Sequence, residues 1–242
     1  MNVSRALFFG CISILSSIPF VAAHGQQLPF PFSKYDPFTV LIYVSVVFFL
    51  LVAYAVLKKK NSKQEKYILF WSMVLILSIA TLYLAAYTLT VTLLSVTNGP
   101  VHWHADFEVW ICGEKQFIPE STGLSGKIGS SLLHHHNDYR IHIEGAVMDY
   151  EDIMLAQFFQ DIGGSLGQNY IGISQEDGSV AYWQNGDYCP DGKEGMLRLY
   201  VQRGFSEEWQ EVAEIPSYII GPYADVPPGD RLKLVFGTDE AQ

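Results

Sequence analysis

Two stretches of the chain are uncharged and almost wholly apolar, and both come before any alternating pattern begins. Residues 38–57 are 20 uncharged positions, which at about 1.5 Å rise per residue match the roughly 30 Å hydrocarbon layer of a bilayer. A transmembrane helix is predicted there. Residues 67–96 form a second uncharged run of 30 positions, long enough to cross with tilt or to continue past the surface. Ahead of both, residues 1–23 hold a lone basic residue, Arg5, then an apolar core, then Val21-Ala22-Ala23. That is the layout of a secretion signal cut before His24, with an uncleaved signal anchor as the other reading. Cys11 comes too early for a lipoprotein signal, because little apolar core precedes it.

Beyond Thr97 the period changes to two. In Val101 to Cys112 the odd positions Val101, Trp103, Ala105, Phe107, Val109 and Ile111 share one face, whereas His102, His104, Asp106, Glu108, Trp110 and Cys112 share the other. This predicts a strand with one side on a core. Residues 113–133, rich in Gly and Ser, read as loop, including Pro119-Glu120-Ser121-Thr122-Gly123, and the triple histidine His134-His135-His136 follows in the same loop. Residues 140–144 alternate again, with Ile141 and Ile143 inward and Arg140, His142 and Glu144 outward. Over 149–162 the spacing of Ile153, Met154, Phe158 and Ile162 predicts one helix, capped by Asp149 and stopped by Gly163-Gly164. Further strands are predicted near 170–174, 179–183, 196–202, 211–215 and 232–236, separated by Asp177-Gly178, Asn185-Gly186 and Pro227-Pro228-Gly229-Asp230 turns. The expectation is an α+β fold: a signal peptide over 1–23, a membrane region over 24–97, and over 98–242 a mostly β domain with one main helix, β-grasp-like in its order of elements.

Charge orients the arrangement. The segment between the two apolar runs carries Lys58, Lys59, Lys60, Lys63 and Lys66, and short basic loops stay on the cytoplasmic side. The second helix then runs outward, and the C-terminal domain is expected outside the plasma membrane of a multi-pass protein. Residues 1–97 hold seven Lys and Arg against two Asp and Glu, while 98–242 hold eight against 23, a net −15 for the outer domain. An acidic domain repels phosphate backbones and attracts cations, so nucleic acid is not an expected partner. Of the three cysteines, Cys112 and Cys189 lie in the outer domain, where a disulfide, a free thiol and a soft metal ligand all remain open.

Six of the seven histidines fall between His102 and His142. A His-x-His pair on a strand places both imidazoles on one face, about 6.5 to 7 Å apart along the backbone. His102 with His104 and His142 with Glu144 repeat this spacing on two strands. If those strands are neighbours, His104, His142 and Glu144 converge, and His134 or His136 arrives from the loop, the two sharing a side if that segment is extended. The expected ligands are His102, His104, His134, His136, His142 and Glu144, and imidazole with carboxylate suits a transition metal, copper or zinc above all outside the cell. The alternative is that these histidines solvate the outer face of a sheet.

These residues resemble an uncharacterised group of prokaryotic membrane-anchored proteins with His-x-His-Ala-Asp-Phe, then His-x-His, then Ile-His-x-Glu-Gly. The matching segments are His102-Trp103-His104-Ala105-Asp106-Phe107, His134-His135-His136 and Ile141-His142-Ile143-Glu144-Gly145. The resemblance extends loosely through Phe158-Phe159 and Pro228-Gly229-Asp230, and it implies a shared ligand set but no reaction. His102-x-His104-x-Asp106 is also similar to the first motif of metallo-β-lactamase-like hydrolases, but Phe107 stands where the next histidine belongs and the later motifs are absent. His24, if exposed as a new N-terminus, resembles the copper chelate of copper-dependent oxygenases and some periplasmic copper carriers, or is a coincidence of the cut. It would join a copper reading if Cys112 and Met148 made a soft second site.

Three functions follow. The first is a membrane-anchored module that captures or delivers copper or zinc. The second is a metal-dependent enzyme with Glu108, Glu144 or Asp106 as general base. The third is a structural envelope protein with a stabilising metal and an envelope protein as partner. No nucleophile elbow, phosphate loop, dinucleotide fingerprint or zinc-protease motif is present.

Overall fold

The computed structural model describes residues 28, 31–58, 60–118, 120, 121, 126–221 and 229–238. The expected signal peptide, His24, Pro119, Thr122, Gly123, Pro227 and Pro228 lie outside the described residues.

Two helices come first. Helix α1 (Pro37–Leu57) starts where the Asp36 carboxylate accepts the Thr39 N–H at 3.0 Å and proline opens the first turn, at a position with no helical acceptor for its missing N–H. Helix α2 (Lys63–Leu94) starts on a capping box in which Ser62 and Glu65 each accept the other's backbone N–H. It therefore begins ahead of the apolar run, at Lys63 rather than at 67. It ends at Leu94 rather than at 96, because the Val96 N–H turns to the carbonyl of Val147 at 2.9 Å. Both helices are long and apolar enough to cross a membrane, spanning about 31 Å and about 48 Å at 1.5 Å per residue. Lys58 and Glu65 pair across the connection between them.

The remaining chain is α+β. Its strands are β1 (Pro100–Ile111), β2 (Glu114–Gln116), β3 (Ile128–Gly129), β4 (Leu133–His135), β5 (Arg140–Ala146), β6 (Ser165–Leu166), β7 (Tyr170–Ser174), β8 (Val180–Gln184), β9 (Met196–Gln202), β10 (Gln210–Val212) and β11 (Asp230–Gly237), with helix α3 (Leu155–Asp161) between β5 and β6. The main sheet runs β10-β9-β11-β1-β5-β4-β3, with β2 also on β1, and β6-β7-β8 form a second sheet. Strands β1 and β11 are parallel in the middle of the main sheet, and each carries an antiparallel partner on its far side, β5 and β9.

The inward face of β1 is the predicted one: Trp103, Ala105, Phe107, Val109 and Ile111 are buried, as are Ile141 and Ile143 on β5. Helix α3 covers them with Leu155, Phe158 and Phe159, and the Phe107 and Phe158 rings meet edge to face at 5.1 Å.

Several expectations are corrected. The single helix over 149–162 is two pieces, a 3-10 turn at Tyr150–Ile153 and α3, because Met154 is extended and bridges to Ile219. The loop over 113–133 contains β2 and β3, and the triple histidine is not loop, since His134 and His135 belong to β4. The strand placed at 211–215 is Gln210–Val212. Of the three states left open for Cys112 and Cys189, the disulfide is the one present, with their Cα atoms 5.6 Å apart, so neither is a thiol or a soft metal ligand. Cys112 and Gly113 take φ of +52° and +84°, the two positive values of the tight turn between β1 and β2.

Candidate metal centre

Strand register builds the site. On β1, His104 stands opposite His142 of β5, and His142 stands opposite His134 of β4. One row of three imidazoles therefore crosses three strands, each about 4.8 Å from the next. The adjacent row pairs His102 with Glu144. His136, two residues beyond His134, falls on the same side and closes against His142. The ring centroids of His142 lie 4.8 Å from His104, 5.0 Å from His136, 5.6 Å from His134 and 6.5 Å from His102. His142 is the hub of the cluster.

All six predicted positions come together, but not as the expected set. The donors divide into two triads, His102 with His104 and His142, and His134 with His136 and Glu144, each with its donor atoms within 4.8 Å of one another. A tetrahedral ion with bonds of about 2.1 Å wants its donors roughly 3.4 Å apart, so small side-chain rotations suffice to close either group. Imidazole and carboxylate donors of this kind can hold a transition metal ion.

Three observations prepare the cluster for a cation. His134 is fully buried and neither ring nitrogen has a hydrogen-bond partner among the described residues, although Nε2 stands 3.7 Å from Glu144 Oε2. Leaving such atoms unpaired costs on the order of 1–3 kcal/mol each, a penalty that a bound ion would remove. Burial, helped by the nearby Lys127, pushes the His134 pKa down to about 4 against the opposing pull of Glu144, so the ring stays neutral with one nitrogen unprotonated at neutral pH. His142 Nε2 lies 3.0 Å from Asp138 Oδ2, and its Nδ1 is buried with no hydrogen bond among the described residues. A carboxylate behind a histidine in this way fixes the ring and leaves the other nitrogen to ligate.

Asp138 is the residue that periodicity missed. Its Oδ1 accepts the N–H groups of His136 and Arg140, and its Oδ2 orients His142. Burial alone would raise its pKa, but the hydrogen bonds from His142 and the His136 backbone outweigh that and hold it below the ordinary carboxylate range. The available signal was its place four residues ahead of His142. Gly129 was missed as well: it faces His134 in the register, and a Cβ there would lie 2.5 Å from the Leu133 carbonyl and 2.8 Å from the His134 Cα.

His135 points the other way, to the core, where its ring packs on Phe107 and Phe158 at 6.3 Å. Two of the candidate bases are engaged elsewhere. Asp106 accepts Arg140 Nε at 2.6 Å, and Glu108 accepts Lys115 Nζ at 2.6 Å and Trp110 Nε1 at 3.0 Å. Glu144 alone of the three faces the histidines.

Burial also lowers the pKa of His135. Both histidines bind a proton less readily in the folded state than in the unfolded chain, so their contribution to stability is complete above about pH 6.5 and falls as pH drops below it, for His134 down to about pH 4. The metal-free protein is expected to lose roughly 3 kcal/mol through His134 over that window. Urea midpoints taken by tryptophan fluorescence at pH 7.5 and 4.5 measure it, and His134→Phe should flatten the dependence.

The chain matches no protein-family model, no curated protein and no solved structure.

Proposed function

We propose that this is a membrane-anchored protein whose C-terminal domain binds copper or zinc outside the cytoplasm, for capture or delivery of the ion. The observation that carries the metal reading is the convergence of five histidines and Glu144 in two triads on one sheet face. The five lysines between the two apolar runs, three in the connection and two in the first turn of α2, support placing that end of the helices in the cytoplasm and the domain outside. The Cys112–Cys189 disulfide agrees with an oxidising compartment. The central parallel pair with an antiparallel strand on each side supports a β-grasp-like reading of the domain. The His-x-His-Ala-Asp-Phe resemblance fits the same ligand set, and an envelope protein is the natural recipient of an ion held there.

The test uses the full chain in detergent. After loading with Cu²⁺ or Zn²⁺ and gel filtration, the wild type is expected to retain metal in stoichiometric amount, and a His104→Ala/His142→Ala variant to retain almost none. Wild-type protein that elutes metal-free would sink the reading.

An enzymatic role is the second reading, favoured by one observation. Each triad supplies three donors, and the side chains of His102 and Glu144 are 63% and 43% exposed, which leaves a coordination position open to solvent. Azide binding to the loaded protein would support that role, and a closed shell would remove it.

A further inference from the structure

The geometry points to one dinuclear centre in place of a single ion, with Glu144 as the bridging carboxylate. This rests on the metal-binding reading above and deepens it.

Glu144 belongs to both triads by contact. Its Oε1 stands 3.2 Å from Nε2 of His102, in the first triad, and its Oε2 stands 3.7 Å from Nε2 of His134, in the second. The two oxygens of one carboxylate thus face two separate nitrogen donors. An ion seated in either triad would take the nearer oxygen, and a carboxylate shared in this way sets two ions on the order of 3.5–4 Å apart, the spacing of two-metal sites.

One ion cannot use all six donors as they stand. Donors in a single shell lie within about 4.2 Å of each other, twice a bond of roughly 2.1 Å. Each triad comes near that limit, its donors falling inside 4.8 Å, while the six do not form a single group of even that size. The sheet is the reason. His104 is on β1 and His134 on β4, with β5 between them, so their backbones are about 9.6 Å apart.

Two dications at such short range repel strongly, and the site answers with negative charge placed between and beside them. Glu144 lies between the triads, and Asp138 lies behind His142, the ring nearest to both groups. The Asp138 contact occupies Nε2 of His142 and leaves the buried Nδ1 as the nitrogen free to ligate. Each ion then has two or three imidazoles and one oxygen of Glu144, with a remaining position for water or a small bridging anion. The occupants are two divalent transition metal ions of the kind that accept mixed nitrogen and oxygen donors.

Copper(II) is the probe. Full-length protein in detergent, loaded with excess CuSO4 and freed of unbound metal, is expected to hold two copper ions per chain, with an EPR spin count well below two because ions sharing a carboxylate couple magnetically. Glu144→Gln, at an exposed position, should leave the fold intact by circular dichroism. It should either drop the content to one copper or restore a full spin for each copper held. One copper per wild-type chain overturns the dinuclear proposal while leaving metal binding standing. Two coppers with two full spins overturn the bridge. No copper overturns both this proposal and the reading on which it rests.

Discussion

Replacing both disulfide cysteines, Cys112→Ala with Cys189→Ala, is expected to destabilise the folded domain by roughly 4 kcal/mol. The cross-link closes a loop of 77 residues, and the loop-closure entropy for that length, about 15 cal/mol/K, gives this figure at 25 °C. Native contacts do not offset it. Cys189 is buried in the core and Cys112 packs against the same cluster, so the shortened side chains lose contacts as well. The thermal midpoint, followed by tryptophan fluorescence on the full chain in detergent, should fall by roughly 12 °C. Reductant added to the wild type should reproduce most of the shift. Metal retention should not move, since Cys112 lies ten strand residues from His102, about 33 Å along β1. A loss below 1 kcal/mol would mean that the cross-link contributes little to the folded state.

What could be read from the sequence was set by how far each element obeys one period. Strand β1 was readable because Trp103, Ala105, Phe107, Val109 and Ile111 all face one core, which leaves an alternation from Trp103 to Ile111 that only the buried His104 interrupts. The two apolar helices were readable by length, but the start of α2 was not, since Lys63 to Lys66 are polar and the Ser62–Glu65 capping box extends the helix beyond its hydrophobic stretch. The split at Met154 was hidden. Ile153 and Phe158 fit a helical spacing, yet the chain breaks there to bridge Ile219, a partner far along the sequence.

The candidate donors were readable and their grouping was not. His102, His104, His142 and Glu144 stood out because alternation fixes which side chains share a face. His134 and His136 stood out by chemistry alone and were placed in a loop, because three polar residues in a row look like one. Strand β4 is three residues long, too short to show a period. Its burial comes from pairing on both edges, with β3 and β5, and from a core that accepts His135 between Phe107 and Phe158. Those are long-range facts. They also decide that Glu144 faces His134 and His102 together, which no local spacing predicts.

His142→Ala is expected to weaken metal binding by more than 100-fold, and Asp138→Asn by roughly 10–100-fold, the usual cost of losing a partner that orients a ligand. The ranking follows from position. His142 is the hub, within 6.5 Å centroid to centroid of four other imidazoles, so its loss removes a donor from the first triad and opens a gap beside the second. Among the described residues Asp138 bonds to His142 Nε2 and to the His136 and Arg140 N–H groups of its own turn, and asparagine keeps the shape while removing the charge that strengthens the contact with His142. His135→Ala supplies the contrast: it should cost about 2–3 kcal/mol of stability by emptying a core position, yet leave metal affinity unchanged, because its ring lies on the opposite face of β4. Competition titration against a chromophoric chelator, with urea unfolding on the same samples, separates the three. Equal affinities for wild type and His142→Ala would remove His142 from the centre. A loss of metal in His135→Ala without unfolding would show that the face assignment of β4 is wrong.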